Sequence, residues 1–249
     1  GGGTPRAEGH LPLLPPLPSA GGQPLDDGWT EELLSELPYL LWRDEDRGLI
    51  GCTSDVLGSG PGDLARICAE LPRRCGGRHW ELIYSSRRSG LSMNTFFRCV
   101  SGRQDTVMVV KDECGHTFGA FIGFPWRSQR DFYGRGESFV FKLRPGFQKY
   151  SWTRSNSMFA MTNPTGLLFG GGFKAAIWLD EDFNHGASGY CPTWGNPPLS
   201  AHEAFICVHL EVWAMLREEE LEYGAEELLS QMGRHAGVRD DPMPSSRPP

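Results

Sequence analysis

A chain of 249 residues with 39% hydrophobic side chains and a net charge of −7 can bury one sizeable core. No run in it reaches the roughly 18 to 20 apolar residues of a membrane-spanning helix, and the prolines in LPLLPPLP break any signal-peptide core. Seven cysteines at irregular spacing, none in a C-x-x-C pair, signal neither a zinc clip nor a disulfide framework, so reduced thiols and a cytoplasmic address are expected.

The acidity is uneven. Residues 73–154 hold fifteen Lys/Arg against six Asp/Glu, a local +9 that leaves −16 for the rest of the chain. Such a basic middle reads either as a solvated arginine-rich surface or as a docking face for an acidic partner or an anionic membrane. Nucleic acid is the poorer fit, because the pI is about 5.5 and no zinc-finger, helix-turn-helix or RNP pattern accompanies the charge.

In chain order, residues 1–29 are rich in Gly and Pro and read as a disordered segment or linker. Residues 30–53 read as a short helical lead-in, with Thr30 capping EELLSEL and Pro38 stopping it. A second helix is expected from Asp63, a plausible cap, with Leu64, Ile67, Cys68 and Leu71 on one stripe. From Trp80 the rhythm turns to short strands: WELIYSS, TVMVVKD, HTFGAFIGF, SFVFKL, FQKYSW, SMFAM, GLLF, AAIWLD and FICVHLEVW. The stretch DECGH reads as a hairpin turn on Gly115, and LSMNTFFRCV interrupts the series as a helix ending near Gly102. In FICVHLEVW, alternation puts Ile206, Val208, Leu210 and Val212 on the core face and Cys207, His209 and Glu211 on the other. After it, residues 215–233 read as a C-terminal helix with Leu221, Ala225, Leu228 and Met232 at helical spacing, and residues 234–249 as a disordered tail. Many short strands with few helices among them give an α+β fold: a two-sheet antiparallel β-sandwich flanked by a few helices, with an added C-terminal helix.

The triple glycine in LLFGGGFKAAIWLDED invites a phosphate-binding reading. A P-loop needs a helix after the glycines and Ser or Thr after the Lys; here Gly170, Gly171 and Gly172 lead through Lys174 into a strand. A bulged strand-to-strand turn is the better account. Glu137, at the start of SFVFKL, could act as a catalytic acid only with a second carboxylate, which Asp180, Glu181 or Asp182 could supply. His185, Cys191, His202 and His209 carry zinc-compatible donors without a closed-site spacing. Cys191, before Pro192 in a polar loop, is the best candidate for an exposed thiol, although no cysteine has the helix-start context that lowers a thiol pKa.

Several of these segments, in this order, resemble the TLDc family: SDVL at residues 54–57, WELIYSSRRSGLSMNTFFR, HTFGAFIGFPW, FYGRGESFVF, KYSWTRSNSMF, GGGFKAAIWLDEDFNHGASGYCPTWGNPPLS and LEVW. The resemblance covers residues 54–213 and sets the domain at 54–214; Ala176 and Trp194 depart from it at positions where packing is expected to be affected. It implies a β-sandwich without a catalytic residue set, without cofactor or metal. It also implies protection from oxidative stress and binding to the soluble V1 sector of the vacuolar proton-pumping ATPase. Recruitment from the cytoplasm to lysosomal, vacuolar or other acidic organelle membranes would then be indirect, through the pump. The candidate partner-facing residues are Arg127, Arg130, Arg135 and Glu137 on the body, and Leu221, Leu228 and Met232 on the C-terminal helix. The other reading is a cysteine- or carboxylate-based enzyme that scavenges peroxide or hydrolyses its substrate.

Overall fold

The computed structural model describes residues 37–44, 48–57, 61–217 and 219–220. Strands β1 (Leu40–Asp44) and β2 (Gly48–Gly51) precede helix α1 (Pro61–Glu70), a 3-10 turn at Arg73–Cys75 and strand β3 (Trp80–Ser85). A short helical turn α2 (Ser86–Ser89) and helix α3 (Met93–Val100) follow. Next come β4 (Thr106–Asp112), β5 (Thr117–Ile122), β6 (Gln129–Tyr133), β7 (Phe139–Arg144), β8 (Gln148–Ser151) and β9 (Ala160–Asn163). The last are β10 (Gly166–Phe169), β11 (Ile177–Asp180), β12 (His185–Ala187) and β13 (Ala204–Met215).

The hydrogen-bonded path runs β6-β9-β10-β11-β12-β13-β4-β5-β7-β8, with β3 added beside β13, β1 beside β3 and β2 beside β1. Strand β13 belongs to both sheets. Its first residues pair with β12, its last with β3, and it pairs with β4 from Cys207 to Ala214. Every pairing is antiparallel except β1 with β3.

One apolar core lies between the two sheets, joining Met108, Val110, Phe118, Ala120 and Val140 from one to Leu167, Phe169, Ile177 and Leu179 from the other. The opposite face of the β3-β13-β4-β5-β7 sheet has its own core, in which Val107, Val109, Phe121, Phe141 and Trp213 meet Leu64 and Ile67 of α1. Two covered faces explain the unbroken apolar run in TVMVV: alternate residues serve different cores, so both parities must be apolar. Helix α3 is anchored by Phe96, fully buried, whose ring meets Tyr84, Trp126 and Phe183 at 5.0, 5.2 and 5.3 Å between centroids. Rings at these separations add to the area burial of each partner.

The architecture is the expected α+β sandwich, with several local differences. Helix α1 starts at Pro61, whose fixed φ and missing N–H suit a first helical position, so Asp63 lies inside the first turn. Its carboxylate accepts from Arg144 Nε at 2.8 Å and thereby ties α1 to β7. The lead-in helix EELLSEL falls outside the described residues except Leu37, and the rest of that segment contains β1 and β2, which hydropathy alone did not reveal. Strands β6 and β12 also escaped the pattern reading. The first is a largely exposed edge strand bonded to β9 at only two registers, and the second is three residues long.

The face assignment in β13 is corrected. Ile206 and Val208 are exposed, whereas Phe205 and Cys207 are buried in the inter-sheet core. A bulge between Cys207 and His209 sets two residues of β13 against one step of β4, so the alternation reverses there. Beyond it, Leu210 and Val212 point into the inter-sheet core as expected. Of the C-terminal helix, only residues 219–220 are described, and both are helical. Leu221, Leu228 and Met232 lie outside the described residues.

Candidate interface and buried polar network

The three glycines do join two antiparallel strands. Gly166 pairs with Asp180 and Phe169 with Ile177, so β10 and β11 form a hairpin whose connection begins at Gly170. Gly170 has φ +77°, and a Cβ there would sit 2.4 Å from Cys191 Sγ. Only a residue without a side chain meets both demands. Around this connection, three loops are cross-bonded. Gly171 N–H donates to Thr193 Oγ1 at 3.0 Å, Thr193 Oγ1 donates to Asn156 Oδ1 at 2.8 Å, and Ser155 Oγ donates to the Pro192 carbonyl at 2.9 Å. The cysteine expected to be exposed is the reverse: Cys191 is fully buried, its Sγ 3.5 Å from the Gly171 carbonyl, because the GYCPTW loop turns inward under the glycines. Ala176 and Trp194 are both buried in the inter-sheet core, so the two departures from the family pattern do fall on packing positions.

Cys114, in the β4–β5 turn, is the exposed thiol. Local desolvation, and then the neighbouring Glu113 and Asp112 carboxylates, push its pKa up. Burial also raises the thiols of Cys52 and Cys75 to about 11 and those of Cys68 and Cys207 to about 12. A raised thiol is a poor nucleophile at neutral pH, since the thiolate is the reacting form.

Glu137 is exposed but engaged. Arg74 grips it through Nη1 and Nη2 at 2.7 and 2.9 Å, and the same guanidinium holds Asp105 at 2.6 Å. The carboxylates proposed to pair with it have other positions: Asp180 accepts from the backbone N–H groups of Asn184 and His185 in the β11–β12 turn. Glu137 therefore shares one guanidinium with Asp105, while Asp180, expected to pair with it, is engaged elsewhere. A recess of about 120 Å³ lies near Asp105, lined by Arg78, Arg103, Met215, Arg217 and Glu220. Small-molecule sites are typically about 300 to 1,000 Å³.

The zinc-compatible set is likewise dispersed. His185 binds Asp180 at 3.0 Å, His202 is exposed, and Cys191 is under the glycine hairpin. His209 instead joins a cluster that pattern reading did not find, with Asp55 and Glu211. Glu211 is fully buried and accepts three hydrogen bonds: from Ser54 Oγ at 2.5 Å, Asp55 N–H at 2.9 Å and Trp213 Nε1 at 3.0 Å. Burial pushes its pKa up, and these donors oppose the rise. His209 Nε2 lies 3.0 Å from Ser85 Oγ, while its Nδ1 is buried without a partner among the described residues. Burial, with Arg87 and Lys111 nearby, depresses its pKa to about 4, so the ring is neutral at physiological pH. With all three donors already on Glu211, and Arg87 3.7 Å from Asp55, the arrangement is that of a satisfied buried carboxylate. Its sequence signal was the acidic residue inside the apolar LEVW strand.

Arg127, Arg130 and Arg135 are all exposed, on or beside edge strand β6. The Arg127 peptide is clamped: its N–H donates to the Tyr133 hydroxyl at 3.2 Å and its carbonyl accepts from Thr162 Oγ1 at 2.6 Å. Their guanidinium groups make no ion pair among the described residues, in contrast to Arg74, Arg103 and Arg144, which are committed to Glu137 and Asp105, Glu81 and Asp63. Charges along a sheet edge also discourage unwanted strand pairing.

The TLDc domain model matches residues 60–216. Oxidation resistance protein 1 of Bos taurus is 40% identical over 156 residues, which is 62% of this chain and 18% of that protein. The Homo sapiens protein of the same name is 39% identical over 156 residues, with the same two shares. Nuclear receptor coactivator 7 of Homo sapiens is 37% identical over 153 residues, 61% of this chain and 16% of that protein. The match thus takes in less than a fifth of the length of these relatives. Since the family model spans more than half of the sequence, the chain belongs to the TLDc domain family.

Proposed function

We propose that this chain is a non-catalytic docking module that binds the soluble V1 sector of the vacuolar proton-pumping ATPase from the cytoplasmic side, regulates the pump, and takes part in protection against oxidative stress. The observation that carries the reading is the disposition of charge. Arg127, Arg130 and Arg135 stand exposed along one sheet edge without ion pairs among the described residues, while Glu137 is held by Arg74 and Glu211 is buried among its donors. Unpaired guanidinium groups at a fixed edge favour an acidic partner surface and set both orientation and encounter rate. Membership of the TLDc family supports the choice of partner, and the names of the oxidation resistance relatives support the stress role.

An enzyme built on cysteine or on Glu137 finds less support. The exposed thiol is raised in pKa, and Glu137 is neutralised by Arg74. The apolar stripe of Leu221, Leu228 and Met232 is proposed as a second contact, tested by deleting residues 218–233, which spares β13 and the buried Met215 and Leu216, and comparing affinity for the soluble sector.

Co-purification of the chain with the purified V1 sector at low and high salt tests the main reading. Retention at low salt and release as ionic screening rises is the expected result. No retention at either salt concentration would refute it.

A further inference from the structure

Three of the seven exposed large apolar side chains among the described residues belong to neighbouring loops at one end of the sandwich. Phe173, next to the triple glycine, is 76% exposed, Tyr190 is 55% exposed, and Met158 is 37% exposed. They come from three separate loops, and the structure brings those loops into direct contact. A Cβ at Gly171 would lie 2.9 Å from Met158 Sδ, and one at Gly189, beside Tyr190, would lie 2.5 Å from the Lys174 side chain. Gly189 N–H also donates to the Ala175 carbonyl at 3.0 Å, which holds the Tyr190 loop against the hairpin that carries Phe173. With Thr193 bonded to Gly171 and Asn156, and Ser155 to Pro192, the tip is braced from below. Water therefore meets a fixed apolar projection.

The three loops that form this projection carry charge of one sign. Residues 152–159, 170–176 and 189–196 contain Arg154 and Lys174 and not a single Asp or Glu, in a chain whose net charge is −7. Lys174 is tethered to Glu203 at 2.5 Å, whereas Arg154 is exposed and makes no ion pair among the described residues. Arg135 adds a third cation, since the adjoining Gly136 packs against the Trp152 ring at the root of the first loop.

We propose that the tip formed by Met158, Phe173 and Tyr190, with Arg154, Arg135 and Lys174 around it, is a peripheral docking site for an anionic phospholipid bilayer. The shape selects the occupant. The apolar groups project from three loop ends, which suits insertion into the soft boundary between headgroups and acyl chains. A protein hot spot instead centres on anchors that fill pockets, surrounded by a sealing rim. Tyr190 combines an apolar ring with a polar end, the type of side chain that settles at headgroup level. The cations match a leaflet rich in anionic lipid, which attracts basic residues held near its surface. This contact is direct and needs no pump subunit; because Arg135 is shared with the V1 reading, variants at Phe173, Tyr190 and Arg154, which leave Arg135 in place, separate the two.

Flotation of the full chain with phosphatidylcholine vesicles, with and without phosphatidylserine, at low and high salt tests the proposal. The expected result is recovery with the phosphatidylserine vesicles, weakened by salt, and little with phosphatidylcholine alone. Phe173→Ser combined with Tyr190→Ser lowers the partition coefficient about tenfold or more, and Arg154→Gln lowers it about fivefold. These side chains are exposed, and an unchanged urea-unfolding midpoint confirms that the variants fold. Absence of vesicle binding by the parent chain overturns the proposal, as does equal recovery with both vesicle types or undiminished binding by the double variant. If the double variant loses V1 binding while the parent ignores vesicles, the tip belongs to a protein interface and the lipid assignment is wrong.

Discussion

The Ser54 hydroxyl donates to the Glu211 carboxylate at 2.5 Å across 157 positions of sequence, joining the turn before α1 to the middle of β13. Ser54 Oγ also accepts from the N–H groups of Val56 and Leu57, at 3.1 and 2.7 Å, so one buried hydroxyl shapes the turn while it caps the acid. Glu211→Gln keeps one oxygen but presents an amide N–H₂ to groups that are themselves donors. The variant is expected to lose about 1 to 3 kcal/mol of stability, read from urea unfolding, and Glu211→Ala to lose at least as much. A stability unchanged within error would mean that the network is ornamental.

His209 gives the pH dependence a sign. Its native pKa, about 4, lies below the ordinary imidazole value of 6.5, so the unfolded chain binds more protons between these values. Its contribution to stability is complete above about pH 6.5 and is lost as pH falls toward about 4. The raised Glu211 works in the opposite sense, contributing stability at low pH that is lost as pH rises through its native pKa. Unfolding free energies measured from pH 7 to 4 should decline, and His209→Gln should flatten that decline. An identical slope in the variant would contradict the assignment.

Gly170 and Gly102 separate two costs of adding a side chain. Both have positive φ, +77° and +75°, but a Cβ at Gly102 meets nothing within 4 Å, whereas at Gly170 it meets Cys191 Sγ and the Trp194 indole. Gly102→Ala is expected to cost about 1 to 2 kcal/mol for its backbone conformation alone. Gly170→Ala should cost about 1 to 3 kcal/mol more through overpacking. Thermal or urea unfolding of the pair checks the ranking, which equal losses would refute.

Thiol labelling follows exposure. Cys114 is the exposed cysteine, so native protein treated with an aromatic disulfide should show it as the fastest-reacting thiol, with Cys114→Ser abolishing that phase. Because its pKa is raised, the rate should climb about tenfold per pH unit below that pKa. A fast phase that is insensitive to pH near neutrality would indicate a stabilised thiolate and revive a redox reading.

Much of the fold was legible in the sequence because the strands alternate or are continuously apolar. TVMVVKD announced a strand, which the structure covers on both faces, and LSMNTFFRCV announced a helix, which the structure anchors through buried Met93, Phe96 and Val100. The glycine hairpin was legible for a related reason: a strand follows Lys174, which removes the helix a phosphate would need. The β13 bulge was not legible, because FICVHLEVW offers apolar residues on both parities around Val208 and only pairing with β4 reveals the slip. Cys191 misled for a similar reason. Its neighbours are polar, but those polar groups bond inward to the glycine hairpin and bury the thiol. At the candidate interface, sequence gave the charge of Arg127, Arg130 and Arg135 and no information about their exposure. The Arg74 capture of Glu137 spans 63 positions, beyond the reach of any local pattern.

The most direct test of the docking account is the affinity of the chain for purified V1 sector, measured by titration at two ionic strengths, alongside the variant Arg127→Glu, Arg130→Glu, Arg135→Glu. The account predicts binding that weakens with salt in the parent chain and falls at least about tenfold in the variant. Equal affinity of parent and variant, or no binding by a correctly folded parent chain, would contradict it.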